Sequence, residues 1–249
     1  MFIPGLVSVT FRKHTRREIA EAMQKAGLSA IEWGGDVHVV PMDGEAVTDA
    51  LAVCGEFGCR TASYGSYYRC TADDAFASSV VDTAVHLGTK HIRVWAGTKG
   101  SAAADSTDRA ETVRNLKKIC RSAAVHGITV SPEFHQGTLT DHYESAVRLM
   151  EETEEENLRL YWQPNQFMDD AYNLAAVRAV LPYVSNVHVF TWDAKTRYPL
   201  ADGEKKWREY LDILAGSGRD HHLLMEFVRD DSMDQFFRDA ETLLSWIGR

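Results

Sequence analysis

The feature that most constrains the fold is a regular alternation of short apolar segments with longer amphipathic ones along the whole chain. The short segments have the length of buried strands, and a glycine often follows the longer segments, as at the end of a helix. The predicted strands cover residues 2–11, 28–33, 60–64, 91–96, 128–135, 158–163, 184–191 and 221–228, and the predicted helices cover 15–26, 43–57, 72–87, 107–126, 141–155, 169–180, 207–214 and 232–247.

Strands that alternate with helices form a parallel sheet with right-handed crossovers. Eight such units in 249 residues, without a linker between them, have the size of a (β/α)8 TIM barrel. We therefore predict an α/β fold with one barrel domain over residues 1–249. A doubly wound open sheet is the alternative, but the glycine-rich phosphate loop that it usually carries is absent from VTFRKH, after the first strand.

Composition excludes several classes of function. The 27 basic and 36 acidic residues give a net charge of −9, and no basic stripe favours nucleic acid as a partner. No apolar run approaches the roughly 20 residues of a membrane span, and the first residues do not resemble a signal peptide. The four cysteines lack zinc-site spacing. We expect a cytoplasmic protein, and apolar residues on the outer helices are compatible with a homodimer.

The stretch ITVSPEFH, residues 128–135, places two ionisable side chains at the end of an apolar strand. Glu133 and His135 share a parity, and residues two apart in a strand face the same side. In a barrel, that end of the strand is where active sites lie. One strand alone could simply have an exposed polar end, so the prediction of a site depends on the later strands.

Three later strands carry metal-competent side chains at corresponding places: Gln163, His188 and Glu226. Apolar neighbours flank His188 and Glu226, which indicates that both point into the barrel. A single histidine is more often a satisfied core group, but a carboxylate inside LLMEFV is costly to bury without a partner. Together these residues favour one divalent cation, with Mn or Mg preferred and Zn or Co as alternatives.

The chain resembles the xylose-isomerase-like TIM barrels, a superfamily of sugar phosphate isomerases and epimerases. The resemblance runs through IEWGGDVHVVP, YGSYYR, IRVWAG, EFHQGTLTD, YWQPN, VHVFTW and LLMEFV. It implies that Glu133, Gln163, His188 and Glu226 hold the metal, with Gln163 at a position where an Asp is usual. Two carboxylates would then balance a +2 ion, whereas a third would leave the site negative. Alternatively, Gln163 only hydrogen-bonds to substrate.

The resemblance also implies chemistry on a small sugar or polyol, at a carbon next to a carbonyl. Glu133 and Glu226 are the expected acid–base pair. Epimerisation, aldose–ketose isomerisation and dehydration all begin with loss of that proton, and the sequence does not choose among them. A dehydratase of the inosose or dehydroshikimate type and a sugar-binding barrel without turnover are the alternatives. The apurinic-site endonucleases of the superfamily need a richer metal cluster and a basic face.

Further residues are expected near the substrate because they lie at strand ends or in the following loops. Each has a purely structural alternative: an ion pair between Arg93 and Glu32, a loop packed on itself, or a solvated charge. The expected substrate-binding residues are His38, Tyr64, Arg93, Trp95, His135, Lys195 and Arg197.

Overall fold

A computed structural model describes residues 1–248, and it has the predicted alternation of strands and helices. The strands are β1 Phe2–Val7, β2 Ala30–Gly34, β3 Arg60–Gly65, β4 His91–Val94, β5 Thr129–Pro132, β6 Leu160–Trp162, β7 Val184–Val189 and β8 His221–Met225. The helices are α1 Arg16–Lys25, α2 Gly44–Phe57, α3 Asp74–His86, α4 Ser106–Ala124, α5 Tyr143–Thr153, α6 Asp170–Val180, α7 Glu204–Ala215 and α8 Met233–Trp246.

The eight strands form one parallel sheet in the order β5-β4-β3-β2-β1-β8-β7-β6. Pairing of β1 with β8 brings the two halves of the chain together. Isolated bridges, Val130 with Leu158 and Glu133 with Tyr161, join β5 to β6. The sheet is thus a nearly closed barrel, and the predicted TIM-barrel fold is confirmed.

The helix ends show why the chain turns where it does. Thr15 accepts a hydrogen bond from the Glu18 amide, and the Glu18 side chain bonds back to Thr15, which is a capping box. The Asp43 side chain caps α2 by accepting a hydrogen bond from the Ala46 amide. Gly58 ends α2 with a φ of 70°, a left-handed conformation that glycine adopts without steric cost. None of the helices within residues 1–248 is both long and apolar enough to cross a membrane.

The main apolar core lies between the barrel and the helices. It contains outward-facing strand residues such as Ile31, Trp33, Val187 and Val189, all nearly or completely buried. The residues that alternate with them include polar and charged groups, among them Glu32 and His188, which are also fully buried. The inward face of the barrel is therefore polar enough to support a site.

Several strands end earlier than predicted. Residues 8–11 form a 3-10 turn instead of continuing β1, and β8 ends at Met225. The last residue of β5 is Pro132, whose missing amide hydrogen cannot extend the ladder. Glu133 and Glu226 consequently lie one residue beyond their strands, at the carboxyl end of the barrel.

Candidate active site

Four side chains from consecutive strand ends converge at the carboxyl end of the barrel. One ligand atom each from Glu133, His188 and Glu226 lies within 4.8 Å of the others, and all three residues are buried. His188 Nδ1 is 3.5 Å from Glu133 Oε1 and 3.6 Å from Glu226 Oε2. Gln163 Oε1 lies 2.8 Å from the same nitrogen.

The backbone fixes the orientation of the Gln163 amide. Its Nε2 donates to the Phe134 carbonyl at 2.7 Å, so its Oε1 faces His188 and accepts the Nδ1 proton. Two carboxylates, an amide oxygen and an imidazole nitrogen suit a divalent cation such as Mn or Mg. The donor set therefore fits the expected metal, which Glu133, Gln163, His188 and Glu226 would hold.

A buried ion network holds Glu133 in place. Arg93 donates from Nε to Glu32 Oε1 at 2.7 Å and from Nη1 to Glu133 Oε2, and Trp95 Nε1 donates to the same Glu133 oxygen at 2.6 Å. The second oxygen of Glu32 accepts from Ser63 Oγ at 2.6 Å. The predicted Arg93–Glu32 pair is thus present, and Arg93 also contacts Glu133. Because Oε2 of Glu133 is occupied, Oε1 is the oxygen that faces His188.

The surroundings shift the pKa values of the two carboxylates, Glu133 and Glu226, in opposite directions. Burial alone would raise the pKa of Glu133, but Arg93 and His188 bring it down to about 2. Burial, together with the charge of Glu133, raises the pKa of Glu226 to about 7 against the attraction of His188. Burial opposes ionisation of His188, but Glu226, Glu133 and Glu32 raise its pKa to about 10. A cation bound at Nδ1 must therefore displace the proton of His188.

A cavity of about 420 Å³ opens above these side chains. Arg93, Glu133, Gln163 and Glu226 form its polar floor, and aromatic side chains form much of its wall. The His135 ring stacks on Trp95 with centroids 4.2 Å apart, and Tyr67 lies 5.4 Å from Trp95. The remaining lining residues are Val9, Arg12, Gln136, Gln166, Phe167, Trp192 and Phe227. The cavity thus combines a charged floor with flat apolar walls.

Two of the residues expected near the substrate are instead part of the barrel packing. Tyr64 is fully buried and donates its hydroxyl to the Val39 carbonyl at 2.9 Å, because Ser63 takes the inward position of β3. His38 is buried between Ser8 Oγ, 2.9 Å from its Nδ1, and the His14 carbonyl, 3.2 Å from its Nε2. The structure brings neither residue to the cavity.

The two expected cations after β7 also lie outside this cavity. Lys195 is exposed in a turn, in which its backbone amide bonds to Asp193 Oδ1 at 2.7 Å. Arg197 pairs with Asp231 at 2.8 Å and lines a neighbouring cavity. Of the expected substrate-binding residues, Arg93, Trp95 and His135 line the cavity above the donor atoms.

Sequence reasoning did not identify every residue of the cavity. Gln166 and Phe167 lie in the loop after β6, and Phe167 is 49% exposed. An exposed aromatic residue in a loop at the carboxyl end of a barrel was the available signal for Phe167. Arg12 follows the predicted first strand, and Phe227 lies where we predicted that the last strand continues.

Comparison with known proteins defines the family. The family model described as "Xylose isomerase-like TIM barrel" matches residues 20–247. The chain belongs to this family, and the resemblance seen in its motifs is confirmed. The family, the nearly closed barrel and the cluster of Glu133, His188 and Glu226 agree with one another.

Individual relatives carry different activities in their names. A 3-dehydroshikimate dehydratase from Bacillus anthracis is 39% identical over 72 residues, a segment of 29% of this chain and 26% of that protein's length. The structure of the probable 3-DHS dehydratase from Bacillus anthracis superposes with a TM-score of 0.80, at 18% identity over 98% of both chains. D-psicose 3-epimerase from Clostridium cellulolyticum H10 superposes with a TM-score of 0.75, at 13% identity, covering 98% of this chain and 97% of its own. At these identities the superpositions show the shared fold.

Proposed function

We propose that the protein is a divalent-metal-dependent isomerase or epimerase of a small sugar or polyol, with Glu133 and Glu226 as the acid–base pair. The observation that carries this proposal is the convergence of Glu133, Gln163, His188 and Glu226 beneath a cavity of about 420 Å³. A cation held there would act as a Lewis acid toward the substrate oxygens next to the reacting carbon.

The protein's own residues divide the remaining work. Arg93 and Trp95 hold one oxygen of Glu133, which leaves the other free to take a proton from the carbon beside the carbonyl. Glu226, with a pKa of about 7 in the metal-free site, can hold and return a proton at neutral pH. Proton return to the opposite face of that carbon gives an epimer. The stacked Trp95 and His135 would orient the carbon skeleton.

A dehydratase is the second candidate, favoured by the 72-residue segment that is 39% identical to a 3-dehydroshikimate dehydratase. The same proton removal, followed by loss of a hydroxyl from the neighbouring carbon, gives an unsaturated ketone. Product analysis separates the two candidates, because the unsaturated ketone absorbs in the ultraviolet and an epimer does not.

The test is metal content and proton exchange in wild type and Glu226→Gln, purified without chelator. We expect about one Mn, Mg, Zn or Co ion per wild-type chain and depletion in the variant, which loses one of four ligands. Incorporation of solvent deuterium into ketoses and inososes should fall by about 10²–10⁴-fold, the usual contribution of general acid–base catalysis. Glu209→Gln, which removes an exposed carboxylate from α7, is the control and should match wild type.

Two results would contradict the proposal. Wild-type exchange rates in Glu226→Gln would exclude the acid–base role. Absence of metal from wild type, even after supplementation, together with sugar binding but no exchange, would favour a sugar-binding barrel without turnover.

A further inference from the structure

A second cavity of about 420 Å³ lies beside the first and shares Val9, Arg12 and Phe227 with it. Lys13, His14, Arg197 and Asp231 also line it. We call this space the annex, and we propose that it binds an anionic group of the substrate, a phosphate or a carboxylate, while the polyol carbons occupy the first cavity. This inference rests on the proposed function and narrows its substrate class.

The charges of the annex favour an anion. Arg197 Nη1 pairs with Asp231 at 2.8 Å, and Arg12 Nη2 pairs with Asp36 at 2.7 Å. Lys13 is exposed and forms no ion pair with any residue in the described range 1–248. Three cations thus face two carboxylates, which leaves a local positive charge on a chain with a net charge of −9.

Without a metal ion, the side chains that line the first cavity have no such excess. Arg12 and Arg93 line it, and the carboxylates of Glu133 and Glu226 oppose them. A bound divalent cation would be directed at neutral hydroxyl and carbonyl oxygens next to the reacting carbon. A charged group on the same substrate therefore has its complementary partners in the annex.

The wall between the two cavities is braced from both sides. The Arg197 guanidinium lies 4.5 Å from the Phe227 ring centroid and 5.4 Å from that of Trp192. Arg12 donates to the Tyr67 hydroxyl at 2.8 Å. Phe227, Trp192 and Tyr67 all line the first cavity, so the two arginines of the annex are fixed against the walls that would enclose the polyol.

The backbone at this wall is strained. Phe227, Asp230 and Asp231 have φ values of 48°, 63° and 50°, in the left-handed region that non-glycine residues occupy at a cost. This conformation turns Phe227 toward both cavities and places Asp231 against Arg197. Strain of this kind is concentrated at ligand sites.

The experiment is calorimetric titration of the metal-loaded protein with D-fructose, D-fructose 6-phosphate and 5-keto-D-gluconate. We expect the phosphate, the carboxylate or both to bind at least about tenfold more tightly than the neutral sugar, as one or two charge-assisted hydrogen bonds would provide. Preference for one of the two anions identifies which group the annex takes.

Variants locate the effect. Lys13→Gln and Arg197→Gln should each reduce the anion preference by about tenfold, and Lys13→Gln should leave the affinity for D-fructose unchanged. Lys195→Gln, which removes an exposed lysine outside both cavities, is the matched control and should keep the preference. Lys13 is exposed, so its substitution should leave the fold intact if Arg197→Gln proves unstable.

Lack of an anion preference in wild type, including no measurable binding of any of the three probes, would overturn the inference. An equal loss of preference in Lys13→Gln and Lys195→Gln would do the same. Proton exchange is assayed separately from binding, so failure of the proposed function appears as tight anion-dependent binding without proton exchange.

Discussion

The first four strands and the last four treat buried charge in opposite ways. Glu32 on β2 and Arg93 on β4 lie 2.7 Å apart and neutralise each other, and Ser63 on β3 occupies the second carboxylate oxygen of Glu32. The later strands bring Glu133 and Glu226 to the same depth, and Glu226 Oε2 lies 3.6 Å from its nearest cationic partner, His188 Nδ1. The first half is a fixed charged frame, and the second half presents charge that a cation can take up.

Arg93 connects the two halves. It belongs to the frame through Glu32, and it also holds Glu133, the first donor of the second half. The three buried carboxylates therefore differ in pairing: Glu32 is bonded through both oxygens, Glu133 through Oε2, and Glu226 makes the longer contact to His188.

The largest change in stability is expected at Glu32, and it tests whether the paired charges of the first four strands are structural. Glu32→Gln leaves Arg93 with one carboxylate in a fully buried site, and breaking a buried pair costs about 3–5 kcal/mol of unfolding free energy. Urea unfolding measures the loss. Glu56→Gln, which breaks the exposed pair with Arg17, is the control and should change stability little. Similar losses in the two variants would show that the frame is not structural.

After removal of any metal by chelator, the stability of the protein should depend on pH through the buried groups Glu226 and His188. The pKa of Glu226 rises from 4.5 to about 7 on folding, so the folded protein retains a proton that the unfolded chain loses. This contribution to stability is present below pH 4.5 and is lost as the pH rises through 7. His188, raised from 6.5 to about 10, loses its contribution at higher pH in the same direction.

Thermal unfolding from pH 4.5 to 9 should therefore show declining stability in wild type. Glu226→Gln should flatten the decline between pH 4.5 and 7. It should also reduce the decline above pH 7, because the charge of Glu226 contributes to the raised pKa of His188. An unchanged profile in the variant would mean that Glu226 does not carry this proton.

A smaller effect, on metal affinity, is expected at Gln163 and tests whether this residue is a metal ligand. Gln163→Asp adds a third carboxylate beside the +2 ion and should tighten metal binding by about tenfold, net of the lost hydrogen bond to the Phe134 carbonyl. Competition with a metal-indicator dye measures the dissociation constant. Gln166→Asp adds the same charge to the cavity wall and should change affinity less. No gain for Gln163→Asp would contradict Gln163 as a ligand.

The smallest effect concerns Tyr64. Tyr64→Phe leaves the Val39 carbonyl without its partner and should cost about 1 kcal/mol of unfolding free energy, with KM for the exchange reaction unchanged. Tyr67→Phe, three residues later, removes a hydroxyl that contacts Arg12 at the cavity wall and should raise KM. A raised KM in Tyr64→Phe would show that Tyr64 contributes to substrate binding.

Periodicity and parity predicted much of the site. Alternation along the last two predicted strands correctly directed His188 and Glu226 inward, because a strand leaves each side chain only two choices of face. The family resemblance then grouped the four donors, and the structure places them together.

The residues that parity could not place lie where the strands end. Tyr64 was expected at the end of its strand, near the substrate, but β3 continues to Gly65 and turns the Tyr64 side chain outward. Phe227 was expected within a strand, but β8 ends at Met225 and Phe227 has a left-handed backbone conformation. Arg12 follows both the predicted first strand and the 3-10 turn that replaces its end. Loop conformation depends on tertiary contacts, and residues within the loop do not encode it alone.

The seam between β5 and β6 would give a metal ion bound at the proposed site a second, structural role. Isolated bridges, rather than a continuous ladder, join these strands, and Gln163 Nε2 reaches across to the Phe134 carbonyl. Glu133 stands on one side of that seam and Gln163 on the other. An ion bound by both side chains would link β5 to β6, the strand pair joined only by isolated bridges within the described residues. The link would slow local opening and amide hydrogen exchange there. Metal binding would then also close the barrel between β5 and β6.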